Sequence, residues 1–353
     1  MKRWLVALAL LAAVGCGGGS GSGPAPVPTA TGTPFVPQSP NPPQHLYVGY
    51  ASIQSGSADY AVAVYQLPLT SASAPVTVFP GGNNLQAFAV DEYRGTIAEV
   101  VGSGTFGVAT LEIVPSIGSP AAVSIPPGPA TLQAALAGAM DFDPGGNLWI
   151  PTTQDLREFS PPFQTYSTVA TVIPNGVPST SYANFVAGFP QFDPSGTMYV
   201  STPGALFTFS PPAFSAGPKR IAPGFTFGQF AFDGLGNTIS TFRFPSLPTP
   251  APSATPLPQT GLGVFSLPLS SLSTPQFLLS PPDIPSNLSA FTSDEIGGIG
   301  NVYIGDSADG SIFVYPLPLT PSSTPALHVP CPAQLAARCT APTLAYLTFY
   351  VGP

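Results

Sequence analysis

The chain has 353 residues, of which 44% are hydrophobic and only 7% charged, and its formal net charge is −8. So much apolar material excludes a chain kept disordered by its charge, and eight Lys and Arg leave no basic stripe to grip a nucleic-acid backbone. The 48 prolines and 37 glycines fall at regular positions, where they punctuate strands instead of marking low complexity.

The chain opens on Met1-Lys2-Arg3, continues through the apolar run from Trp4 to Val14 and reaches Gly15-Cys16. A basic start, a short apolar core and small residues before a cut site describe a secretory signal. The run is far short of the roughly 20 residues a membrane-spanning helix needs. Ala13-Val14-Gly15-Cys16 resembles the lipobox of bacterial lipoproteins, although Ala13 stands where that family favours Leu. The resemblance implies removal of residues 1–15 as a signal peptide and lipidation of Cys16. Gly17 stands where Gram-negative lipoproteins retained at the inner membrane carry Asp, so the expected location is the outer membrane or cell surface. Residues 16–43 are Gly/Ser-rich and then Pro/Thr-rich, a disordered tether with a flexible first part and a stiffer second part.

From residue 44 to 353 a repeat runs to the end of the chain. Its clearest copies are Val64-Tyr-Gln-Leu-Pro-Leu-Thr70, Val264-Phe-Ser-Leu-Pro-Leu-Ser270 and Val314-Tyr-Pro-Leu-Pro-Leu-Thr320, each followed by a serine (Ser73, Ser273, Ser323) and a proline. The last two begin one period of about 50 residues apart, and four such periods separate the first two. Weaker copies at Leu111–Pro115, Phe159–Pro162 and Phe209–Pro212 fill the interval. The copies therefore number six.

Ahead of each copy lies an apolar strand, a turn and a second apolar strand. The turns open on Asp91, Asp143, Asp193, Asp233 and Asp294, and each leads to a Gly and then Asn or Thr. Asp accepts hydrogen bonds from turn amides, and Gly takes positive φ at no steric cost. Flanking β-branched and aromatic residues suit strands. Five complete hairpins serve six outer copies. His45–Val48 reads as a second strand lacking its first, and Thr343–Tyr350 as a first strand lacking its second. Paired, they complete a sixth blade. The expected fold is all-β: a six-bladed β-propeller whose ring closes by pairing its C-terminal strand with its N-terminal one.

The apolar strand, Asp-x-x-Gly-Asn turn and second apolar strand resemble the NHL-repeat and SMP-30/gluconolactonase-like six-bladed propellers over residues 44–353. The gluconolactonase branch implies a divalent metal held in the channel by a Glu, an Asn and an Asp from different blades. No residue-by-residue match to those ligands is found, and no cofactor or metal ligand is assigned.

The five repeated aspartates are read as turn-builders, because a residue recurring in five blades serves what the blades share. Asp141 breaks the repeat, standing where other blades have Ala89, Gln191 and Ala231, and is the candidate channel acid. Asp306 and Asp309 read as a polar turn. Gly102-Ser-Gly-Thr-Phe-Gly107 matches a dinucleotide fingerprint in letters only, since a strand and not a helix follows. His45 borders the tether and His328 lies on an outer strand, so histidine-dependent zinc sites and triads are excluded. Cys331 and Cys339, eight positions apart in an exported chain, are expected to form a disulfide.

The sequence thus points to a lipid-anchored envelope propeller acting as a non-catalytic binding or scaffold module. Its partner would be a protein, glycan or small ligand, and it would touch membrane through the anchor alone. The alternative is a metal-dependent hydrolase or lactonase of the SMP-30-like type using carboxylates such as Asp141.

Overall fold

Short strands, many of them buried on both faces, build six small antiparallel sheets in the computed structural model. The structure describes residues 43–54, 57–81, 85–102, 109–125, 140–151, 156–163, 190–193, 195–202, 205–209, 219–221, 226–243, 260–270, 273–280, 287–294, 299–339, 344 and 346–353. The signal, Cys16, most of the tether and the segment 103–108 lie outside them.

The first blade begins with β1 (His45–Gln54), β2 (Ser57–Gln66) and β3 (Thr77–Phe79). The second holds β4 (Leu85–Val90), β5 (Ile97–Gly102), β6 (Ala109–Val114) and β7 (Val123–Ile125). The third is described as three strands, β8 (Asp141–Phe142), β9 (Leu148–Pro151) and β10 (Leu156–Phe159). The fourth holds β11 (Pro190–Phe192), β12 (Met198–Thr202), β13 (Ala205–Phe209) and β14 (Lys219–Ile221). The fifth holds β15 (Thr226–Phe232), β16 (Asn237–Arg243), β17 (Thr260–Ser266) and β18 (Phe277–Leu279). The sixth holds β19 (Leu288–Ser293), β20 (Asn301–Asp306), β21 (Ser311–Pro316) and β22 (Leu327–Val329). A short 3-10 turn, Ala333–Leu335, precedes the last strand, β23 (Tyr346–Gly352).

β23 joins the first blade, whose order is β23-β1-β2-β3. It pairs antiparallel with β1 from His45↔Gly352 to Ala51↔Tyr346. On its other sides β23 packs against β19 and β4, while β4 meets β8, β8 meets β11, and β15 meets both β12 and β19. The ring of six blades is closed, with the shared blade where the two orphan strands predicted it.

The recurring Leu-Pro-Leu copies explain themselves locally. Ser73 Oγ accepts the Thr70 N–H at 2.7 Å, Ser273 Oγ that of Ser270 at 2.8 Å, and Ser323 Oγ that of Thr320 at 2.9 Å. Three residues on, the fourth strand starts with a repeated amide bond, such as Val76 N–H to Val64 O at 2.7 Å and Ala326 N–H to Val314 O at 2.8 Å. The leucines of these turns join buried clusters shared with the preceding blade: Leu67 belongs to the one that holds Val314 and Leu335, and Leu269 to the one that holds Tyr199 and Leu206. These apolar wedges hold blades together where sheet hydrogen bonds do not cross.

Cys331 and Cys339 are brought to bonding distance, with Cα atoms 6.3 Å apart, inside the usual span for a disulfide. Arg338, on the same segment, forms an ion pair with Asp59 at 2.6 Å, so the chain leading to β23 is held against the first blade.

One buried carboxyl serves neither turn nor lumen. Glu99 on β5 is 4% exposed, stands opposite Glu112 on β6, and accepts the Gly118 N–H at 2.9 Å. Burial pushes its carboxyl up to about 7; the Gly118 amide opposes this and Glu112 adds to it. An acid raised on folding favours the folded state below its unfolded value near 4.5, and that stability is lost as pH rises through about 7. Glu99→Gln keeps an acceptor for Gly118 and removes the charge. It is expected to raise stability at pH 8 by about 2 kcal/mol and to leave it unchanged near pH 4.5. Denaturant melts of both proteins at the two pH values measure this, and equal gains at both would rule out the titration.

Candidate functional site

Each of the five repeated aspartates is used by its own hairpin. Asp91 Oδ1 accepts the amides of Tyr93 and Arg94 at 2.9 and 3.1 Å. Asp143 accepts the Asn147 amide and side chain, both at 2.9 Å, and the Trp149 indole at 3.0 Å. Asp193 takes the amides of Ser195 and Thr197 and the Tyr199 hydroxyl. Asp233 takes those of Leu235 and Asn237, and Asp294 the Asn301 amide and the Tyr303 hydroxyl. Asp306 and Asp309 likewise accept amides of their own turn, from Ala308 and Ser311. None of these oxygens is set out for a ligand in the way an unpartnered group would be.

These hairpins end the innermost strands, and where those strands converge the lumen opens into a cavity of about 120 Å³. Asp141 lines it, from the start of β8. Gln191 and Ala231, at its repeat-equivalent positions, line the same cavity, so the break in the repeat falls on a lumen position. Asp141 is half-buried and accepts the Phe142 amide at 2.9 Å.

Two further lumen groups were not singled out by the sequence. Glu92 follows Asp91 in its turn, where three other blades place Pro144, Pro194 or Gly234 and the sixth has Glu295, and it reaches the cavity. That departure from Pro or Gly was the available signal. Gln229 sits in a bulge of β15, where the ladder skips from Phe227 to Phe230. Bulges re-aim side chains and are not visible in a strict alternation. Gln229 is 7% exposed and its Oε1 has no hydrogen-bond partner.

The walls are aromatic. Phe230 and Phe232 stand 6.3 Å apart at an interplanar angle of 26°, and Tyr350 of β23 donates its hydroxyl to Met140 O at 2.9 Å, bridging the first and third blades across the lumen. Gln191 is spent bracing its neighbour, bonding both the amide and the carbonyl of Phe230. Pro43 marks the rim.

Crowding by protein raises both acids. Asp141 is pushed well above the usual carboxylate range by desolvation first and by Glu92 second, with the Phe142 amide opposing and Asp143 and Asp91 adding to it. Glu92 is pushed up to about 7 by desolvation and by Asp91. Because Glu92 is open to solvent and Asp141 half-open, lumen water tempers these shifts without changing their direction. Both carboxyls therefore hold their protons to higher pH than an ordinary exposed carboxylate.

The described donors do not fit the Glu-Asn-Asp metal set that the family resemblance implies. The cavity offers Glu92 and Asp141 with no Asn among its lining residues, Asp91 and Asp143 are committed to turns, and among the described residues no three His, Cys, Asp or Glu are grouped to hold a metal ion. His45 Nδ1 lies 2.8 Å from Pro353 O and His328 stacks on Phe313 at 4.7 Å, both outside the cavity.

No protein-family model matches the chain, and no curated protein does. Solved propellers resemble it in three dimensions. The periplasmic gluconolactonase of Pseudomonas aeruginosa is 13% identical, with 88% of this chain and 100% of that one covered at a TM-score of 0.45. A gluconolactonase from Xanthomonas campestris is 11% identical, covering 81% and 86% at 0.43. A 6-phosphogluconolactonase-like protein from Bacteroides uniformis is 13% identical, covering 87% and 100% at 0.44. At these identities the likeness is one of fold.

Proposed function

We propose that this protein is a lipid-anchored envelope propeller that binds a ligand at the mouth of its channel. The observation that carries the reading is Gln229: its amide oxygen is buried and without a partner, and the residue lines a cavity that also holds two carboxyls spared from turn duty. A buried acceptor left unpaired costs about 1–3 kcal/mol, and an incoming donor recovers it. The anchor rests on Ala13-Val14-Gly15-Cys16 and the Gly/Ser leash behind it.

A second reading, hydrolysis of a lactone at the same mouth, is favoured by the carboxyl pair. Two carboxyls raised above the ordinary range and facing one cavity are groups of the kind that serve such a reaction as general acid and base. Three of the solved propellers that resemble this chain carry that activity in their names.

Ligand-observed NMR with a small-molecule library on the full chain is expected to give hits that Asp141→Asn abolishes. If Asp141→Asn instead removes a measured hydrolysis of gluconolactone, the catalytic reading replaces the first. For the anchor, wild type is expected in the detergent phase and Cys16→Ser in the aqueous phase. A fully aqueous wild type would exclude lipidation.

A further inference from the structure

Resting on the binding reading above, we propose that the channel-mouth cavity takes a small primary organic ammonium ion, its N–H groups on Asp141, Glu92 and Gln229 and its apolar body on the flanking phenylalanines.

Charge comes first. Two carboxyls from different blades, Glu92 of the second and Asp141 of the third, face one cavity whose described lining includes no Lys, Arg or His. Asp91 and Asp143 stand behind the pair and add negative field. Arg94, in the same turn as Glu92, is engaged by Asp91 Oδ2 at 3.2 Å and Pro144 O at 3.4 Å. An anionic ligand would meet only repulsion here.

Hydrogen-bonding capacity narrows the class. The three groups are acceptors when the acids are ionised, and Gln229 Oε1 is an acceptor in any state. An –NH₃⁺ group carries three donors and no acceptor, whereas a quaternary ammonium carries none. Phe142, Phe230 and Phe232 supply apolar and π surface, which suits a cation with a short hydrocarbon or aryl body. A cavity of about 120 Å³ is below the usual pocket range of roughly 300–1,000 Å³, so the body is small.

The carboxyls that crowding holds partly protonated would ionise as the cation arrives. Binding is therefore expected to release protons and to weaken as pH falls, because the raised carboxyls must ionise to accept the cation.

Calorimetry on the full chain at pH 7.5 should show saturable binding of benzylammonium, with benzyl alcohol and benzyltrimethylammonium at least tenfold weaker. Asp141→Asn and Gln229→Leu should each weaken benzylammonium at least tenfold. Glu92→Gln, at an exposed turn position, provides the same test if the buried variants fail to fold. Equal or better binding of benzyl alcohol would overturn the ammonium class and leave a binding site in place. Benzylammonium binding that ignores all three variants, or no binding at all, would also overturn it. The binding reading itself falls only if the library gives no hit that depends on Asp141.

Discussion

Deleting residues 343–353 is expected to abolish the cooperative thermal transition of the domain. The segment removes β23 and with it the seven-residue ladder to β1. It also strips Leu347, Phe349 and Val351, which are 0%, 3% and 1% exposed, together with Leu344 and Tyr350. Each large apolar side chain contributes roughly 1.5–3 kcal/mol on burial, and their sum rivals the roughly 5–15 kcal/mol that holds a whole domain. The loss also bares the edge of β1, which would template aggregation. Trimming the chain up to residue 42 removes none of these contacts and should leave the melt unchanged. Circular dichroism melts and size exclusion compare the two truncations, and a C-terminal truncation that melts like the intact protein would refute the shared blade.

Gly49→Ala is expected to cost about 3 kcal/mol, at the upper end of what overpacking a core does. Gly49 sits mid-strand in β1, opposite Thr348 of β23. A Cβ there would overlap Thr348 Oγ1 and stand 2.5 Å from Phe88 Cε1 and 2.9 Å from Tyr60 Cδ1. Two of these three neighbours are ring atoms of buried side chains, which have no free direction in which to move. The strand backbone needs no glycine for its own conformation, so the cost is purely one of space. Adding Phe88→Leu to the mutant should return part of the loss, since the shorter side chain vacates the contact. Urea unfolding of the single and double variants measures both terms, and additive losses would show that the clash is not the cause.

The architecture was legible because a propeller writes its blades in series. A period near 50, a turn aspartate per blade and two unmatched strands at the ends determine the ring without reference to any particular contact. The turn aspartates could be read for the same reason, since their partners lie two to nine residues further on, as with Asp91 and Tyr93 or Asp294 and Tyr303. The lumen was legible only where it broke the pattern. Asp141 stood out against Ala89 and Ala231, and it does face the cavity. Glu92 was hidden in a turn position, and Gln229 in a bulge that shifts the β15 ladder. Which side chains share a lumen depends on strands far apart in sequence converging at one place, and local alternation holds no record of that. The metal set implied by resemblance was incomplete among the described lumen residues, which include Glu and Asp but no Asn, because resemblance in the repeat carries the blade and not what the blades enclose.

The seam between β1 and β23 also has a direction. His45 pairs with Gly352, the Gln44 amide reaches Gly352 O at 2.8 Å, and His45 Nδ1 meets Pro353 O, so both strands leave the sheet at the same end of their ladder. A pull that separates these two ends loads one hydrogen-bonded pair at a time and peels the joint open, whereas strands leaving at opposite ends would share the load across the whole ladder in shear. The joint that secures the ring against heat is therefore a mechanical zipper, weak to tension applied across its own ends.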